Sequence, residues 1–186
     1  MPCLVNSGGT VTCGSVSGGI KGIYFCADQV NLPLSTSWDV QNDRLDDWDS
    51  GTETVYYYEV RPENSSLSIS INGERQTGAY YYEQVLNVVL HNVQPEDFGE
   101  INELANAAPN IFVLLNNDEV ILLGAQYGMY VTGGSYDSGT AYTDAQQLEI
   151  EFTGRETTMG YYITKTAGEG TTNYPFDAVT ATITIS

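Results

Sequence analysis

Three segments of this chain alternate apolar and polar residues with a period of two, and that pattern decides most of what it can fold into. Leu67, Ile69 and Ile71 alternate with Ser66, Ser68 and Ser70; Leu148, Ile150 and Phe152 with Glu149, Glu151 and Thr153; Ala181, Ile183 and Ile185 with Thr182, Thr184 and Ser186. Successive side chains of an extended strand point to opposite faces, so each segment offers one apolar face to a core and one polar face to water. Asn72-Gly73, after the first segment, is a turn signal. The 19 Gly and 14 Tyr fit the same picture, short aromatic and β-branched runs punctuated by Gly, Asn and Asp.

Further strands are expected at residues 20–27 and 54–60. Residues 80–93 form a long run whose interior, Val85, Leu86, Val88, Val89 and Leu90, is apolar at both parities, as in a central strand covered on both sides. Ile111–Leu115 and Val120–Leu123 flank Asn116-Asn117-Asp118-Glu119, which predicts a hairpin with a four-residue loop. One stretch departs from the pattern. Phe98, Ile101, Leu104 or Ala105, and Ala108 recur at helical spacing, predicting a helix over 95–108. Pro95 suits its first position, Glu96, Asp97 and Glu100 complement the positive end of its dipole, and Pro109 stops it. Gly99 weakens it by up to about 1 kcal/mol relative to Ala. The expected fold is mainly β, a β-sandwich or partly open barrel with one flanking α-helix, in a single domain over residues 1–186.

At about 31–53 the periodicity vanishes. Pro33, Ser35, Ser37, Asp39, Asn42, Asp43, Asp46, Asp47, Asp49 and Ser50 gather there around Trp38 and Trp48. A loop this long in a compact domain is usually functional or disordered, and two tryptophans argue against pure disorder, since they need a surface to cover, such as a neighbouring subunit. Residues 133–139 and 167–175 read as shorter polar loops.

Charge limits the partners. With 24 Asp plus Glu against 6 Lys plus Arg, a formal charge of −18, the chain lacks the clustered cations that phosphate-backbone binding needs. Only 16% of residues are charged and 41% are hydrophobic, so it is not an acidic disordered tail. No apolar run approaches the roughly 20 residues that span a bilayer, so no membrane role is expected. The first residues, Met1-Pro2-Cys3-Leu4-Val5-Asn6, have no basic segment, and synthesis in a cytoplasm without a secretory leader is the expectation. Cys3, Cys13 and Cys26 show no CxxC pairing and read as thiols rather than a disulfide framework.

Catalytic motifs are wanting. His91 is the single histidine and sits inside the long predicted strand, where it reads as structural rather than as the base of a nucleophilic triad. A zinc site from Cys3, Cys13, Cys26 and His91 lacks the usual paired spacing, and the acidic loop does not fit the EF-hand template. Walker, GxGxxG and GxSxG motifs do not occur. Glu149 and Glu151 imitate a hydrolase carboxylate pair, but alternating glutamates on a strand read as a solvated face. The expectation is therefore no enzyme, with no catalytic residue, no cofactor and no metal. Tyrosines at 56–58, 80–82 and 161–162 must point both inward and outward, and outward ones suit a protein interface or a carbohydrate platform.

Three stretches taken together carry a resemblance: Gly18-Gly19-Ile20-Lys21-Gly22-Ile23-Tyr24 with Cys13 just upstream, Leu122-Leu123-Gly124-Ala125-Gln126-Tyr127-Gly128-Met129-Tyr130-Val131-Thr132 followed by Gly139, and Leu148-Glu149-Ile150-Glu151-Phe152-Thr153-Gly154-Arg155-Glu156. In order and spacing they resemble small virion structural proteins of tailed bacteriophages, of the tail-tube type. The resemblance implies a β-sandwich with a flanking helix, six copies of which join their sheets into a ring. Rings stack into a hollow tube through which the genome is ejected. Partners would be further copies of the chain and other tail or neck proteins, with DNA passing through unbound. Assembly would take place in the host cytoplasm and the product would reside in the virion.

Copies at −18 each would line such a tube with carboxylates that keep DNA from adhering, over a Debye length of about 8 Å. Glu149 and Glu151 are the candidate lumen-facing residues. So much like charge opposes assembly and calls for apolar contact between subunits. Trp38, Asp46, Asp47, Trp48 and Asp49 of the acidic loop are the candidate inter-subunit residues, with β-pairing at strand edges as a second route. Two alternatives remain at this stage: another virion ring component of the neck, tail-completion or baseplate kind, and a carbohydrate-binding β-sandwich.

Overall fold

The computed structural model describes residues 18–26, 38–39, 44–45, 52–61, 63–91, 93–141, 143–163, 174–176 and 182–185. They form β1 (Ile20–Cys26), β2 (Trp38–Asp39), β3 (Arg44–Leu45), β4 (Thr52–Glu59), β5 (Ser66–Gly73), β6 (Tyr80–His91), α1 (Pro95–Asn106), β7 (Ile111–Leu115), β8 (Val120–Leu123), β9 (Tyr130–Asp137), β10 (Gln147–Glu156), β11 (Tyr161–Ile163) and β12 (Thr182–Ile185). Eight strands make one sheet in the order β12, β4, β1, β7, β8, β11, β3, β2, and four make a second in the order β5, β6, β10, β9. Pairing is antiparallel except between β12 and β4 and between β11 and β3. This is a mainly β fold of two packed sheets with one flanking helix.

The two sheets meet through their apolar parities. Ile23, Phe25, Ile111, Val113, Ile121 and Leu123 of the larger sheet pack on Leu86, Val88, Leu90, Leu148, Ile150 and Phe152 of the smaller. On the far side of the larger sheet, Tyr24, Phe112, Leu114, Leu122, Tyr161 and Ile163 form a second core. Phe176 closes it, its ring edge-on to Phe112 at 5.1 Å and to Tyr24 at 5.2 Å. β7 and β8 are thus buried on both faces, which is why they read as unbroken apolar runs.

The long strand differs from expectation. β6 ends at His91 and its exposure alternates, with Leu86, Val88 and Leu90 buried and Val85, Asn87 and Val89 half-buried. Val85 and Val89 stand on the outward face, where β-branched residues suit a pleated, half-buried surface. The doubly covered strands lie in the other sheet. Residues 133–139, expected to be a loop, belong mostly to β9, an edge strand whose Gly133-Gly134-Ser135 lacks any apolar alternation. The expected structureless stretch at 31–53 contains β2 and β3, two-residue strands too short to leave a periodic trace, and the start of β4.

Helix α1 closes one end of the sandwich. Ile101 and Leu104 pack on the core, while Phe98, expected to be buried, faces outward with its ring 5.3 Å from that of Tyr136.

The turn after β8 hangs from three buried polar side chains. Gln84 Oε1 accepts from Gly124 N at 2.9 Å, Asn110 Nδ2 donates to the Gly124 carbonyl, and the Glu156 carboxylate accepts from Gln126 N at 3.1 Å and Tyr127 N at 2.9 Å. Burial pushes the Glu156 carboxyl above its ordinary value, and the Tyr127 and Gln126 N–H groups pull it back down. Gly128, at φ +78°, closes the turn against the Ala108 carbonyl.

Candidate functional site

The outward face of the four-stranded sheet follows from the ladder register. In one row Ser66 lies opposite Asn87, Asn87 opposite Glu151, and Glu151 opposite Gly133. The next rows read Ser68, Val85 and Thr153, then Ser70, Glu83 and Arg155. Toward the other end Val89 pairs with Glu149 and Glu149 with Ser135, and Gln147 pairs with His91 and Asp137. Glu83, Glu149 and Glu151 thus occupy the middle of the face, serines its β5 margin, and Tyr130, Gly133, Ser135 and Asp137 its β9 margin.

Glu149 and Glu151 stand on that face as expected, on the same side of β10 and half-buried by their neighbours. Asn87 Nδ2 donates to Glu149 Oε1 at 3.1 Å, and Thr132 Oγ1 donates to Glu151 Oε1 at 2.8 Å. A shallow depression of about 220 Å³ lies between them and the bare peptide of Gly133 and Gly134. Arg155, 3.4 Å from Glu83, is the face's one guanidinium against the four carboxylates of Glu83, Asp137, Glu149 and Glu151. The described residues of this face therefore carry a net negative charge. Among the described residues, no group of three or more His, Cys, Asp or Glu is placed to hold a metal ion.

Among the described residues, β5 and β9 are the edge strands of this sheet and pair on one side only. β5 runs eight residues in unbroken register with β6, and β9 carries one bulge against β10. Neither strand contains Lys, Arg or Pro, the residues that usually discourage edge-to-edge association.

The chain matches no known family, no curated protein and no solved structure.

The remaining expected site residues fall elsewhere. Trp38 lies in β2, at the margin of the eight-stranded sheet and not in the sheet that carries Glu149 and Glu151. Asp46, Asp47, Trp48 and Asp49 lie outside the described residues, as do Cys3 and Cys13. The neighbouring Arg44 is described: it binds Glu119 with both terminal nitrogens, at 2.8 and 2.9 Å, and the Ile163 carbonyl at 3.1 Å. The Glu119 carboxylate, its hydrogen-bond partner, raises the Arg44 pKa above its ordinary value. His91 ends β6 with Nε2 at 2.9 Å from Asn64 Nδ2, and Cys26 is buried. Asn87, Thr132 and Glu83, which frame the carboxylates, were not singled out in the sequence. Counting β6 and β10 out from a shared register would have placed Glu83 and Asn87 beside Arg155 and Glu151.

Proposed function

We propose that this chain is a structural subunit that forms rings by pairing β5 of one copy with β9 of the next, and that the rings stack into a tube of the tailed-bacteriophage type. Six copies per ring is the number the resemblance implies. The outward face of the four-stranded sheet would then line the lumen, with Glu149 and Glu151 near its middle. The supporting observation is the union, in one sheet, of a carboxylate-rich face with two edges free of cations and proline. A channel wall for a polyanion needs the first, and closure by β-pairing needs the second. Neck, tail-completion and baseplate rings would use the same geometry, and copy number in the particle separates them from the tube.

Negative-stain electron microscopy of the purified chain at several concentrations, with its mass by light scattering, tests this reading. Six-fold rings or hollow tubes are expected. A chain that stays monomeric and binds glycans would replace it with the carbohydrate-binding alternative.

A further inference from the structure

Asn72-Gly73 is the chain's single Asn-Gly step, and it does not form the turn that its composition predicts. Both residues belong to β5. The chain reverses after them, through residues 75–78, with Glu74 N donating to the Ala79 carbonyl and Gly78 N to the Glu74 carbonyl, both at 2.9 Å. The step therefore lies on an edge strand, and the ladder fixes which of its backbone groups are free. Opposed residues of an antiparallel pair alternate between those that exchange hydrogen bonds and those that do not. Glu74 bonds to Ala79, so Gly73 and Tyr80 form a non-bonded pair and Asn72 and Tyr81 a bonded one. The other end of β6 has the same parity: the Val89 N–H turns to the β5 side, where it donates to Ser65 Oγ at 3.1 Å.

The Gly73 N–H thus points away from β6, off the edge where no described strand pairs. Gly73 is exposed, and without a side chain it leaves that nitrogen unshielded. The Asn72 carboxamide stands beside it on the carboxylate-bearing face, where its Nδ2 has two long contacts, 3.4 Å each, to Ser70 Oγ and Glu83 Oε2. Attack of the one on the other requires Asn72 to leave its extended geometry. β10 pairs with β6 only as far as Tyr82, so among the described residues Asn72, Gly73, Tyr80 and Tyr81 pair only with each other. A two-stranded arm of this kind opens locally at much lower cost than the sandwich behind it.

We propose that Asn72 is a site of spontaneous deamidation, and that it marks chains whose β5 edge stays unpaired. The Gly73 nitrogen attacks the Asn72 side-chain carbonyl carbon, the new N–C bond closes a five-membered succinimide, and the Asn72 amide nitrogen leaves as ammonia with the proton that Gly73 N gives up. Water then opens the ring. Addition at the side-chain carbonyl gives aspartate, and addition at the main-chain carbonyl gives isoaspartate, whose main chain runs through the side-chain carbon and is one methylene longer. Water is the one co-reactant, and nothing is oxidised or reduced. Either product alters the edge: aspartate sets a second carboxylate beside Glu83, and isoaspartate throws Gly73 out of register with any strand laid along β5. A strand that accepts from the Gly73 N–H occupies the nucleophile and holds Asn72 extended. This protection rests on the ring reading above, in which β9, eight residues long like β5, lies along that edge. Ring closure then preserves the edge, while unassembled chains age.

The test ages the purified full chain in warm neutral buffer, as free subunits and as rings separated by sedimentation, and follows the peptide carrying Asn72 by mass spectrometry. A synthetic peptide of residues 66–80 gives the unrestrained chemistry, Asn72→Gln is the slow-reacting control, and circular dichroism checks that the fold persists. In free subunits Asn72 should gain the mass difference between carboxamide and carboxyl, with isoaspartate among the products, ahead of Asn64 and Asn116, whose next residues carry side chains. In rings the conversion should be slower by about tenfold or more, and aged free subunits should form fewer rings than fresh ones, a loss that Asn72→Gln avoids. An Asn72 that survives in the folded free chain while the peptide converts would overturn the proposal and leave the ring reading untouched. Equal conversion in rings and in free subunits would also overturn it, since the edge would then be unpaired in the ring. A chain that forms no rings would remove the ring reading, and conversion of its Asn72 would still support the modification.

Discussion

Arg44 and Glu119 meet side by side, two guanidinium nitrogens on two carboxylate oxygens, across 75 positions of sequence. The pair fastens β3 to the β7–β8 hairpin, and the Arg44 bond to the Ile163 carbonyl adds β11 to the same joint. Arg44→Ala should destabilise the fold by about 1–2 kcal/mol, since a bidentate, half-buried pair exceeds an ordinary surface ion pair. Arg44→Lys should recover only part of that, keeping the charge without the fork. Urea unfolding of the three proteins measures both, and equal stability of wild type and Arg44→Lys would refute the bidentate role.

Two glycines should respond oppositely to alanine. At Gly128, with φ +78°, an added Cβ would run into the Ala108 carbonyl oxygen, so backbone would have to move. Gly128→Ala should cost about 3 kcal/mol or more. At Gly99, inside α1, an added Cβ meets nothing within 4 Å. Gly99→Ala should stabilise by up to about 1 kcal/mol. Thermal unfolding gives the sign of each.

Glu156 predicts a pH dependence. Its carboxyl is raised by burial above the usual 4.5, against the lowering pull of the Tyr127 and Gln126 N–H groups. The folded chain therefore takes up this proton before the unfolded chain does. Stability from this site is full below 4.5 and is lost as pH rises through the higher folded value. Glu156→Gln keeps the Oε1 acceptor and removes the charge. The variant should match or exceed wild type at pH 7, and its advantage should shrink as pH falls toward 4.5. Comparing the two proteins at each pH cancels the general relief of like-charge repulsion, and an advantage that grew on acidification would refute the assignment.

In rings of the proposed kind, reversal of Glu149 and Glu151 to Lys should give a face that retains duplex DNA where the wild-type face does not. Binding by assembled protein should weaken steeply with added salt, as phosphate contacts require. Filter binding at two salt concentrations checks this, and salt-independent retention, or none, would argue against a face open to DNA.

Much of the fold was legible because period-two alternation records one-sided burial. β5 and β10 follow directly from it, the β7–β8 hairpin from two unbroken apolar runs around a polar connection, and α1 from its helical spacing and proline boundaries. β9 was not legible, because its half-buried Val131 stands beside Gly133 and Gly134 and leaves no alternating signal. β2, β3 and β11 were missed because two or three residues carry no period. Glu149 and Glu151 could be assigned to a wet face from parity alone. Their companions Asn87 and Thr132 depend on which strands are neighbours, a relation that local pattern does not hold. The exposure of Tyr80 at the tip of the β5–β6 hairpin was hidden for the opposite reason: Tyr80 has the parity of a core residue, and only the end of the β10–β6 pairing at Tyr82 reveals that it lies past the core.

β6 is also the mechanical spine of the molecule. It is gripped on one side by β5 from Ser66 to Gly73 and on the other by β10 from Gln147 to Glu156, in continuous register along both. A pull along its axis, from the hairpin tip toward α1, loads both ladders in shear, so that many hydrogen bonds must yield together rather than one after another. A subunit hung by these two ends would resist stretching far better than peeling.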